Sequence, residues 1–109
     1  MTDLTSLEAI VLAALADRPR YGYELVERIA ELTNGRKQVR PGNLYRVLER
    51  LAVRGLVEET PGALAAGEDE RRRYFRATRP GIRAAEEELS MYGRVLRRAG
   101  GLRQRPADG

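Results

Sequence analysis

The 109-residue chain is one domain's worth of sequence. It has no Cys and no His, which excludes disulfides, zinc sites built on those residues, thiol nucleophiles and the commonest general base. Twenty Lys and Arg against 16 Asp and Glu leave a net charge of +4, an excess that argues for a partner only if it is concentrated somewhere.

The remaining carboxylates, hydroxyls and Lys37 show no spacing that suggests catalysis, so neither an enzyme nor a cofactor or metal site is expected. The opening stretch, MTDLTSLEAIVLAALADRP, begins with an acid and lacks a basic leader. Its apolar run is too short to span a bilayer, so a core helix of a cytoplasmic protein with no membrane partner is expected. Thr5 and Glu8 stand in capping-box spacing before that run, predicting a first helix over 6–16. Leu7, Ile10, Val11, Ala14 and Leu15 fall at helical spacing on its core face.

A second helix is predicted from 21–22 to 33, with Leu25, Ile29 and Leu32 inward and Asn34–Gly35 as its stop. A basic connector, Arg36-Lys37-Gln38-Val39-Arg40, leads to Pro41, a residue suited to the first turn of a helix. The third helix is predicted to run to 54. Leu44, Val47, Leu48 and Leu51 form its apolar stripe, while Asn43, Arg46, Arg50 and Arg54 occupy a different face. Between 36 and 54 stand six basic residues and one acid, Glu49, a local balance of +5 that leaves the rest of the chain near neutral.

Two short strands are predicted at 56–60 and 71–78, joined by a loop over 61–70. Alternation in the second places Arg73, Phe75 and Ala77 on one face, with Phe75 and Ala77 inward, and Arg72, Tyr74 and Arg76 on the other. Thr78-Arg79-Pro80 leads into a last helix, from 81 to 99. The order helix, helix, helix, strand, strand, helix predicts a mainly α fold with a small β-hairpin. It corresponds to a winged helix-turn-helix domain over 1–78, a C-terminal dimerisation helix over 79–99 and a disordered tail over 100–109.

The charge placement suits a groove-entering third helix. Arg forks pair with guanine O6 and N7, Asn pairs with adenine, and both bind phosphate. That predicts Asn43, Arg46 and Arg50 as readers of double-stranded DNA, with Arg36, Lys37 and Arg40 beside them. The plainer alternatives are a solvated charged face, or a winged helix docking an acidic protein. Arg71, Arg72 and Arg73 lie near the wing tip, in reach of phosphates or the minor groove. Glu68, Asp69 and Glu70 precede them, so local charge pairing is the alternative there.

Ile82, Ala85, Leu89, Tyr92, Leu96 and Ala99 are spaced 3, 4, 3, 4, 3, the a/d pattern of a helix paired along a narrow seam. They are predicted to form a homodimer interface. The other reading is an amphipathic helix folded onto its own domain.

Three stretches together resemble the PadR family of transcriptional regulators: LEAIVLAALADRPRYGYELVERI, RPGNLYRVLERLAVRGLVEE and RRRYFRATRPG. The resemblance implies a homodimeric winged-helix repressor, with Tyr23, Asn43, Tyr45 and Arg46 against DNA; a symmetric dimer in turn matches a palindromic operator. It departs from the family at Tyr21, where many members have His, at Asn43, where Ser or Thr is commoner, and at Ala77, where Leu is usual. Some relatives bind aromatic or phenolic effectors near the dimer interface. Here that would place Tyr92 as the platform, with Met91 and Val95 beside it.

Overall fold

The computed structural model describes residues 3–61 and 72–100. Arg71, the acids Glu68, Asp69 and Glu70, and the expected disordered tail from residue 101 on lie outside the described residues. The elements in order are α1 (Ser6–Ala14), β1 (Arg20–Tyr21), α2 (Gly22–Leu32), α3 (Pro41–Val53), β2 (Val57–Thr60), β3 (Tyr74–Ala77) and α4 (Arg79–Arg98). The fold is mainly helical with a small antiparallel sheet, as the sequence pattern predicts.

The helix ends follow from local chemistry. At α1 the Thr5 hydroxyl accepts from the Glu8 N–H at 3.1 Å, and the Glu8 carboxylate accepts from the Thr5 N–H at 2.9 Å. The capping box satisfies two backbone donors that the helix itself leaves unpaired. α2 closes with Asn34 at φ 56°, where the Gly35 N–H returns to the Ala30 carbonyl at 2.7 Å. α3 closes in the same manner around Gly55 at φ 75°, with the Leu56 N–H on the Leu51 carbonyl at 2.9 Å. Left-handed backbone at these two positions favours Asn and Gly and reverses the chain within a residue or two.

Leu12, Leu25, Ile29, Leu44, Leu48 and Leu51 are fully buried where the four helices and the sheet meet. Removing each such side chain from water contributes about 1.5–3 kcal/mol, so these six residues dominate the apolar stabilisation.

The sheet has three strands, in the order β1-β3-β2, where the sequence pattern predicts a two-stranded hairpin. β2 pairs with β3 from Val57 opposite Ala77 to Thr60 opposite Tyr74, and β1 adds Arg20 opposite Phe75 and Tyr21 opposite Tyr74. The extra strand is two residues long, too short to display any periodicity. It also changes the burial of β3: Tyr74, predicted outward, is buried, and its ring lies 5.3 Å from that of Tyr21. Phe75 and Ala77 face inward as alternation predicts.

Arg20 anchors β1 by being buried. Its guanidinium donates to the Ala14 carbonyl at 2.7 Å, at the C-terminal end of α1, and to Asp17 at 2.7 Å. The cation thus meets both the negative end of the helix dipole and a carboxylate. The Arg20 hydrogen bond holds the Asp17 carboxyl below its usual range. Because the folded value lies below the unfolded one, the stabilisation is present above the ordinary carboxylate range and is lost as pH falls through the depressed value. Asp17→Asn is therefore expected to flatten the acid limb of the stability–pH curve. The effect will be small, since the Asp17 side chain is 59% exposed and solvent screens the pair. Urea denaturation at several pH values between neutrality and acid checks this.

Candidate nucleic-acid interface

α3 presents its N-terminal end to solvent. Pro41 occupies the first turn, the Arg40 side chain makes no capping hydrogen bond, and no acid stands in that turn. The positive end of the helix dipole is therefore unopposed, and the connector that leads into it carries Arg36, Lys37 and the N-cap Arg40, all exposed. A Cβ added at Gly42 would meet nothing within 4 Å, so the backbone there is open to close approach. Asn43 and Arg46 follow on the exposed face. Neither they nor Arg36, Lys37 and Arg40 have a side-chain hydrogen bond or ion pair among the described residues.

Tyr23, near the start of α2, is 72% exposed. Tyr45 is half-buried and packs as much as it presents. Its ring meets Phe75 edge-on at 6.0 Å. A Cβ at Gly22 would lie 2.8 Å from the Tyr45 hydroxyl, which explains a glycine where α2 begins.

Among the described residues, the other predicted cations, Arg50, Arg72 and Arg73, are engaged inside the molecule. Arg73 makes two hydrogen bonds to Glu59, at 3.1 and 3.2 Å, and its guanidinium lies 5.4 Å from the Tyr45 ring centre. The hydrogen bond to Glu59 raises the pKa of Arg73 further above its usual value. Arg76 donates to Glu58 at 2.7 Å, and Arg72 stacks over Tyr21 at 4.4 Å. Local charge pairing thus occurs in the wing among the described residues, with the β2 acids Glu59 and Glu58 as partners for Arg73 and Arg76. Arg50, in the last turn of α3, and Arg54, its C-cap, lie 3.7 and 3.5 Å from the carboxylate of Glu8. Arg54 also donates to the Asp3 carbonyl at 2.7 Å.

α4 divides into two parts. Ala85 is buried with Gly81 and Ala84, and Ile82 packs against the same core. Of the two residues expected to begin a seam between copies, Ala85 is buried within its own chain and Ile82 is only partly buried against the same core. Farther along, Leu89, Met91, Tyr92, Val95 and Leu96 are 39, 38, 45, 58 and 49% exposed, and Ala99 is exposed. The Tyr92 hydroxyl donates to Glu88 at 3.1 Å, which raises the Tyr92 pKa.

Residues 11–87 match the transcriptional regulator PadR-like family. The chain belongs to that family. Family members are transcriptional regulators, not enzymes. A PadR-like transcriptional regulator from Bacillus cereus shares 28% identity and superposes with a TM-score of 0.74, over 92% of this chain and 93% of that one. A transcriptional regulator from Clostridium thermocellum has the same fold at 23% identity and a TM-score of 0.70, over 90% and 96% of the two chains. An uncharacterised protein of Lysinibacillus sphaericus is 33% identical over 72 residues, 66% of this chain; the match spans 64% of that protein's length.

Within this PadR-like chain, the site holds two features that sequence reasoning missed. The Glu8 carboxylate, identified only as a helix cap, reaches α3. Arg20, assigned no role, ties β1 and the wing to α1. Capping spacing gave a signal for the first half of Glu8's work. No local pattern announces a partner more than 40 residues away. No cluster of three His, Cys, Asp or Glu among the described residues is placed to hold a metal, and none of the described helices is long and apolar enough to cross a membrane.

Proposed function

We propose that this PadR-like regulator binds double-stranded DNA sequence-specifically as a homodimer, repressing transcription from a palindromic operator in the cytoplasm. The observation that carries the reading is the concentration of unpartnered polar side chains at one end of α3. Arg36, Lys37, Arg40, Asn43 and Arg46 surround an uncapped helix N-terminus and make no side-chain bond among the described residues. Asn43 and Arg46 are the base readers. Arg36, Lys37 and Arg40 hold phosphates, with Tyr23 beside them. Titrating the chain onto duplexes selected from random DNA is the direct test. Phosphate contacts make the log–log salt dependence fall by about 0.9 per contact, so a slope of roughly −3 or steeper per chain is expected. Binding indifferent to salt contradicts the proposal.

The dimer forms along the outer half of α4, through Leu89, Tyr92, Leu96 and Ala99. A single chain leaves five large apolar residues exposed on that helix segment, a contiguous surface of the kind that marks an association site. A two-fold dimer sets two recognition helices on half-sites about 34 Å apart, one turn of DNA. Leu89→Glu with Leu96→Glu is expected to give monomers by light scattering and to weaken operator binding by about tenfold or more, since the second half-site then contributes nothing. A doubly substituted chain that remains dimeric overturns this placement. An aromatic or phenolic effector that releases the DNA is proposed to lie between copies against Met91, Tyr92 and Val95.

A further inference from the structure

We propose that Glu8 tunes DNA specificity by withholding Arg50 and Arg54 from phosphate. The inference rests on the DNA-binding reading above and goes beyond it, because it assigns a role to a residue outside the recognition helix.

The geometry is specific. Glu8 is 5% exposed, the most buried carboxylate among the described residues, and a buried carboxylate is costly unless charges and donors surround it. One oxygen accepts the Thr5 N–H at 2.9 Å and lies 3.5 Å from Arg54; the other lies 3.7 Å from Arg50. The Thr5 bond is a full hydrogen bond, so the capping box fixes where the carboxylate sits. The two arginine contacts are longer than the ~2.7–2.9 Å of charge-assisted hydrogen bonds. The contacts with Glu8 are therefore attractive but not locked, although Arg54 is held besides by its hydrogen bond to the Asp3 carbonyl at 2.7 Å, so Arg50 is the more readily released of the two. The Arg50 side chain is 56% exposed and that of Arg54 36% exposed, so both keep one side towards solvent.

An anion held beside Arg50 and Arg54 does what a phosphate would do there. Glu8 offsets charge that would otherwise capture any DNA backbone regardless of sequence. Phosphate contact carries no sequence information directly, whereas base contact does. Holding two of the cations of α3 back leaves Asn43 and Arg46 a larger share of the binding energy. The sequence-independent term stays small, and discrimination between sites rises. Glu8 acts through the arginines, so it is a positioning residue.

Glu8→Gln isolates the charge. Gln serves at the same capping-box position, so the helix cap is kept while the anion is removed. Binding of the full chain is measured by fluorescence anisotropy across a range of salt, on a random-sequence duplex and on the duplex selected by the wild-type chain. The variant is expected to bind random DNA about tenfold more tightly at ~0.1 M salt, with a log–log slope steeper by roughly 1–2, one or two added phosphate contacts. The ratio of selected to random affinity falls. Adding Arg50→Gln and Arg54→Gln to Glu8→Gln returns the slope to the wild-type value, a restoration that a damaged helix cap would not produce. A folded Glu8→Gln chain with an unchanged slope overturns the inference. Should Glu8→Gln fail to fold, Arg50→Gln with Arg54→Gln in the wild-type background decides. An unchanged slope on random DNA supports withheld arginines, and a slope shallower by roughly 1–2 refutes them. A wild-type chain that binds neither duplex at any salt removes the DNA reading itself, and the inference with it.

Discussion

Arg46→Ala is expected to weaken binding to the selected duplex by roughly five- to hundred-fold, the range that a bidentate arginine–guanine contact worth about 1–3 kcal/mol allows. The loss should be concentrated at one base pair, where the variant ceases to discriminate. Arg46 is exposed on the outer face of α3, without an ion pair among the described residues, so its guanidinium fork is uncommitted and available to a base edge. Arg40→Ala should behave differently. Removing a cation that holds phosphate at the N-terminus of α3 weakens all sequences alike and makes the salt slope shallower by about 0.9. Measuring both variants on the selected duplex and on single-base variants of it separates reader from anchor. If Arg46→Ala leaves affinity and discrimination at every base pair intact, α3 is not read in this orientation.

The contrast between Arg46 and Arg50 shows what a sequence pattern leaves open. Spacing puts Asn43, Arg46, Arg50 and Arg54 on one polar face of a helix, and the helix is there. What the cations do depends on what the fold brings alongside. Glu8 arrives from α1 and Glu59 from β2, each across a long sequence separation, so they sort the cations in a way no local window displays. The four helices were legible because each carries several periods of apolar residues and a chemically defined end. β1 was not, since two residues carry no period and its strand character comes from pairing with β3. The burial of Tyr74 follows from that missing strand. The a/d pattern of the last helix was real, yet a repeat specifies an apolar stripe without specifying its partner. The chain's own core takes Ala85 and part of Ile82, and solvent borders the rest.

Gly81→Ala is expected to destabilise the fold by roughly 3 kcal/mol or more, at or beyond the usual cost of overpacking a core. A Cβ at Gly81 would lie 2.1 Å from the Leu56 carbonyl oxygen and 3.1 Å from Leu12 Cδ2. The carbonyl has little freedom to retreat. It accepts the Thr78 N–H at 3.0 Å, and the N–H of the same Leu56 closes α3 on Leu51 at 2.9 Å. The Thr78 hydroxyl in turn accepts the Gly81 N–H at 3.1 Å and donates to the Gly55 carbonyl at 2.7 Å. The end of α3, the root of the wing and the start of α4 are thus fastened at one point, and a methyl group inserted there must displace backbone from all three. For a domain of this size 3 kcal/mol corresponds to a fall in Tm of roughly 12 °C or more. Gly93→Ala on the same helix supplies the control. Its Cβ would meet only the flexible end of Arg97, at 3.5 Å, so relief of glycine's backbone entropy should stabilise the chain by roughly 0.5–1 kcal/mol. Opposite shifts in Tm for the two substitutions mean that α4 enters the core at Gly81, and that the recognition helix is positioned partly through it. Equal, mild shifts would instead mean that α4 is an appendage, and that α1 to α3 and the wing stand without it.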